Sequence, residues 1–155
     1  MTGATFGSGW TGSGDNGFDL AISGDGQAFT LTFAEIAADV DAGKSPELFA
    51  ARVFSAVLPI DGDGDVDIAF RAQGFAAASK GATAYAVLSV NGQSTVLLFA
   101  GDTDESFLQQ LIVTSGPASP CHLVVVAVVE RDPAYPDAAA TLRPSTVDAE
   151  IQPSK

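Results

Sequence analysis

Short apolar segments written in strict alternation, each closed by a turn signal, recur along this chain and restrict it to β-structure. Phe18, Leu20 and Ile22 share one face of an extended segment, and Ser23, Gly24, Asp25 and Gly26 then make a turn. Residues 28–33 alternate again, so 18–33 predicts a hairpin. Residues 66–73 place Val66, Ile68 and Phe70 on one side until Gly74 breaks the run. Residues 82–90 and 94–99 are joined by Asn91 and Gly92, a strong hairpin signal because both turn positions tolerate positive φ. Further strands are predicted at 53–58, stopped by Pro59, at 107–113, at 122–130 and at 146–151, where Val147, Ala149 and Ile151 face one way. Residues 123–129 are apolar on both faces, which predicts a central strand covered on both sides. Residues 34–44, small and acidic, predict a short helix or a long connection.

The pattern amounts to about eight or nine strands at a spacing of roughly 8–12 residues, with no long amphipathic helix. The expected fold is all-β: a two-sheet antiparallel β-sandwich, of which a jelly roll is one form. At 155 residues the chain has the length of one domain. Residues 1–17, rich in Gly, Ser and Thr around Trp10, predict a flexible arm or a loosely attached first strand, and residues 18–155 a single sandwich domain.

Charge narrows the partners. Seven Lys and Arg against nineteen Asp and Glu give a formal charge of −12. Arg52, Arg71, Arg131 and Arg143 are scattered, so no basic face is expected for nucleic acid or anionic lipid. No apolar run reaches the ~20 residues of a membrane-spanning helix, and the first residues lack a basic start and apolar stretch. Both a secreted and a cytoplasmic location remain open. Cys121 is the sole cysteine, which excludes an internal disulfide and a multi-cysteine metal site.

Among features that carry chemistry, Asp61, Asp63, Asp65 and Asp67 alternate with Gly and Val, and calcium favours such oxygen-rich runs. The EF-hand pattern fails, because position 6 of such a loop would be Val66 and position 12 Ala72. A solvated turn opening into the strand at Val66 explains the same residues. Cys121 and His122 are neighbours on a strand, so they point to opposite faces and cannot act as nucleophile and base for one another. There is no Gly-x-Ser-x-Gly elbow, and the glycines of residues 7–14 lack the lysine of a phosphate loop. Trp10 and Tyr135 stand in loop-like contexts and are the candidate ligand-binding aromatics. Tyr135 lies between Pro133 and Pro136, and Tyr85 reads as core.

Residues 20–33 resemble the opening hairpin, and the stretch from Val53 through Pro59 to Gly74 and on to Tyr85 resembles the following strands, of a secreted β-sandwich family of unknown function that occurs in bacteria and fungi. Members carry several cysteines, where this chain has Cys121 alone. The resemblance implies a secreted sandwich and no activity.

The leading expectation is a non-catalytic binding or assembly module acting through its surface. Its partners would be protein, including a second copy in a homo-oligomer, or carbohydrate. One alternative is a calcium-dependent carbohydrate or surface binder using residues 61–67. Another is a hydrolase with a carboxylate pair that the sequence does not single out.

Overall fold

The computed structural model describes residues 4–7, 9–14, 18–33 and 37–152. Among these residues there are thirteen strands. The N-terminal ones are β1 (Thr5–Phe6), β2 (Thr11–Gly14), β3 (Phe18–Ile22), β4 (Ala28–Phe33) and β5 (Ala38–Asp41). The middle ones are β6 (Phe49–Leu58), β7 (Ile60–Asp61), β8 (Val66–Ala78) and β9 (Ala82–Val90). The last are β10 (Gln93–Ala100), β11 (Thr103–Ser115), β12 (Cys121–Arg131) and β13 (Ala139–Ile151).

They form an open antiparallel sandwich. One sheet has five strands in the order β10-β9-β12-β6-β2. The other has six, in the order β11-β8-β13-β4-β3 with β5 beside β13. A two-stranded ribbon pairs β1 with β7. The alternation does what the sequence predicts: Ile68 and Phe70 are buried while Asp67 and Arg71 face water. At the hairpin between β9 and β10, φ is 51° at Asn91 and 85° at Gly92, the twin left-handed positions of a two-residue turn.

In the N-terminal segment, β2 adds to the edge of β6, and Ala4 and Phe6 are buried in the core. The segment after β4 and the strand count differ from expectation. Residues 34–36 lie outside the described residues, while Ala38–Asp41 is a strand paired with β13. Its alternation decides this, since Ala38 and Val40 are buried and Asp39 is exposed. The strand count exceeds eight or nine because short segments such as β1 and β7 carry too few residues to show a period.

The core has two parts. The larger is aromatic, with edge-to-face pairs at Phe6 and Phe29 (centroids 4.9 Å apart), Phe18 and Phe54 (4.8 Å), and Phe33 and Phe54 (5.1 Å). The other is built largely from alanine, including Ala76, Ala84, Ala86, Ala127 and Ala140, around Leu142, Phe99 and Phe107. Cα atoms of β13 come within 8 Å of β9 and of β12, against about 10 Å for typical stacked sheets.

The seam between the sheets is closed by Gln109, buried on β11, whose Nε2 donates to the carbonyls of Ala86 (3.0 Å) and Thr95 (2.9 Å). A buried amide needs such partners, and these are on the opposite sheet.

Candidate functional site

The two outer faces of the sandwich differ sharply in chemistry. On the six-stranded sheet, register sets two rows of outward side chains across β11, β8, β13 and β4. Gln110 lies opposite Arg71, Arg71 opposite Asp148, and Asp148 opposite Thr30. The next row runs Ile112, Ala69, Glu150 and Ala28. Together they line an open trough of about 470 Å³. The first row is polar and the second mostly apolar. At ~4.8 Å between strands, each row spans roughly 14 Å.

The polar groups here are largely uncommitted. Asp148 Oδ1 accepts a hydrogen bond from Thr30 Oγ1 at 2.7 Å. Among the described residues, the side chains of Arg71, Gln110 and Glu150 have no intramolecular hydrogen-bond or ion-pair partner, although Arg71 and Asp148 are cross-strand neighbours. Five guanidinium N–H donors, an amide and two carboxylates therefore face solvent across adjoining strands.

A second groove, also about 470 Å³, lies at the alanine-rich end and is lined by Gly81, Thr83, Glu130, Arg131, Asp132 and Tyr135. The Tyr135 ring rests over Gly81, where a Cβ would stand only 2.6 Å from that of Tyr135. Its other polar groups are engaged within the chain. Glu130 Oε1 accepts from the Tyr85 hydroxyl (2.7 Å) and from Thr83 Oγ1 (3.2 Å). Arg131 donates to the carbonyls of Glu47 (2.8 Å) and Ser45 (3.1 Å), pinning that loop. Asp132 caps its own turn through the Ala134 amide at 2.9 Å.

The structure scatters the residues singled out from sequence. Asp61, Asp63, Asp65 and Asp67 are exposed in and beside the connection from β7 to β8. Asp67 Oδ1 accepts from Thr114 Oγ1 at 2.7 Å. Among the described residues, no three His, Cys, Asp or Glu side chains gather in a group that would hold a metal ion. Trp10 is half-buried with its ring edge-on to Phe18 at 5.8 Å, whereas Tyr135 is exposed. Cys121 is buried and His122 exposed, as strand alternation requires.

Tyr85, read from sequence as core, faces outward and is half-buried; the inward positions of β9 are taken by Ala84, Ala86 and Leu88. The trough itself went unrecognised. Alternation around Val147 and Ile68 does send Asp148, Glu150 and Arg71 outward. What sequence lacks is the order β11-β8-β13-β4 that makes them neighbours.

Fold and surface together define an open antiparallel β-sandwich with a trough, polar along one row, on the outer face of its six-stranded sheet. No protein-family model and no curated protein matches the chain. Among solved structures it is similar to TmCBM61 in complex with β-1,4-galactotriose, with a TM-score of 0.38 and 12% identity over 94% of this chain and 90% of that one. It is also similar to the enzymatically active domain of bacteriophage CBA120 tailspike protein 4, with a TM-score of 0.37 and 13% identity over 94% of this chain and 20% of that one. A third is the GH31 α-xylosidase from Xanthomonas citri, with a TM-score of 0.28 and 13% identity over 97% and 19% respectively. At these scores the likeness bears on neither ligand nor activity.

Proposed function

We propose that this chain is a non-catalytic binding module that takes a neutral saccharide in the trough on the outer face of the six-stranded sheet. The observation that carries the reading is the row of Gln110, Arg71 and Asp148, in which, among the described residues, the side chains of Arg71 and Gln110 have no intramolecular partner although they are adjacent across strands. Exposed planar polar groups that offer both donors and acceptors suit a ligand with paired hydroxyls. The neighbouring Ile112 and Ala69 offer an apolar strip to the C–H face of a sugar ring. A net charge of −12 disfavours a polyanionic ligand.

The test is titration calorimetry against a panel of neutral oligosaccharides, with Arg71→Ala and Tyr135→Ala as variants. Binding that Arg71→Ala abolishes and Tyr135→Ala leaves intact supports the trough. Loss in Tyr135→Ala alone moves the site to the groove beside Gly81. No heat with any oligosaccharide at millimolar concentration removes the saccharide reading.

A further inference from the structure

The outer face of the five-stranded sheet is the reverse of the trough in chemistry. Register places Phe49 and Val57 of β6, Val96 and Leu98 of β10, and the alternate residues 124, 126 and 128 of β12 on this one surface. Phe49 is 63% exposed, Val96 57% and Leu98 60%. Each belongs to a strand whose opposite face already packs into the core, so burial in the sandwich does not account for them. Monomers rarely leave a contiguous apolar surface of this kind open.

We propose that this face seats a second copy of the chain, giving a two-fold dimer packed sheet face to sheet face. Three arguments select a second copy over other occupants. The first is charge. Among the described outward residues of the five strands, only His122 and Glu130 are acidic or basic, and they stand at opposite ends of β12. Glu130 is held by Tyr85 and Thr83. Two copies of a chain of charge −12 repel over most of their surface, and this is the face where they meet with the least charge to desolvate.

The second is area. The long strands have 8, 9, 11 and 10 residues. At ~4.8 Å between strands and ~3.3 Å per residue they cover roughly 600 Å². Two copies would bury roughly 1,200 Å², the lower end of stable interfaces, and β2 adds to it.

The third is self-complementarity. A two-fold interface needs one patch that matches itself, and an apolar sheet face satisfies that requirement as sandwich layers do. The trough lies on the opposite side of each copy, so the dimer leaves both troughs open, and the proposal stands whether or not a saccharide binds there.

The experiment is sedimentation velocity of the full chain from 1 to 100 µM, alongside Leu98→Lys, Leu98→Thr and Ile112→Lys. The expected result is a dimer of the 15.7 kDa chain at micromolar concentration. Leu98→Lys should weaken it by ten-fold or more and Leu98→Thr by less, while Ile112→Lys, on the other outer face, leaves it unchanged. Leu98→Thr keeps a strand-forming residue and decides the matter if the lysine variant fails to fold. A monomer at 100 µM overturns the proposal. So does a dimer indifferent to folded Leu98 variants, or one lost with Ile112→Lys.

Discussion

The ring of Phe107 occupies the space that a side chain on Gly74 would need. The two residues face each other across β11 and β8, and a Cβ on Gly74 would stand 2.5 Å from Phe107 Cζ and 2.6 Å from the carbonyl oxygen of Arg143. The glycine thus lets an aromatic ring and a neighbouring backbone close over one point, beside the register shift between Pro144 and Thr146 in β13.

Gly74→Ala is therefore expected to destabilise the fold by about 1–3 kcal/mol, since overpacking must displace backbone as well as the ring. Urea unfolding measures this. Phe107→Leu in the Gly74→Ala background relieves only the ring clash, so partial recovery is expected. A variant as stable as the parent chain sinks the argument.

Asn91 does more than tolerate its turn. Its Nδ2 donates to Ser115 Oγ and its Oδ1 accepts from the His122 amide, both at 2.7 Å, so one side chain joins the β9–β10 hairpin to the ends of β11 and β12. Asn91→Gly preserves the left-handed backbone and removes only these bonds. A loss of about 1–2 kcal/mol is expected for two bonds at ~0.5–1.5 kcal/mol each, less the small gain of an easier turn. Thermal melts of the two proteins check it, and equal midpoints would mean the side chain is idle.

Burial pushes the Cys121 thiol above its ordinary value of 9.0, with the hydrogen bond to Ser115 opposing in part. The folded state therefore holds the proton longer than the unfolded chain does. Stability from this group is full below pH 9 and falls as pH rises through 9 toward the folded value. Unfolding midpoints between pH 7 and 10 should decline, and Cys121→Ala should decline less. If both slopes match, another group is responsible.

Among the described residues, the exposed carboxylates of residues 61–67 belong to no group of three that would hold a metal ion. Millimolar calcium and a chelator are therefore expected to give the same melting temperature. A rise of several degrees with calcium would show that the metal binds the folded state and would make the run a site.

Which face of each strand turns inward was readable wherever large apolar and polar residues alternate. Val66, Ile68 and Phe70 against Asp67 and Arg71 form such a case, and so does residues 146–151. Legibility failed where both faces are apolar. In β9 the inward positions are alanines, and Tyr85 is the bulkier side chain, so size alone suggested the wrong face. In β12 the run does mark a central strand, but its outward valines are only half-buried. The trough depends on strand order, and period-two patterning is blind to which strands become neighbours.

β13 follows every other described strand, yet it lies in the middle of its sheet. It pairs with β8 along one side, and with β5 and then β4 along the other. During synthesis these three strands emerge well before the one that joins them, so the six-stranded sheet can close only after residue 151 has left the ribosome. Until then the inner edges of β8 and β4 stay unpaired beside exposed core residues, the condition in which nascent β-proteins aggregate or recruit chaperones. A late central strand thus gives this sandwich a vulnerable interval before folding that its finished architecture conceals.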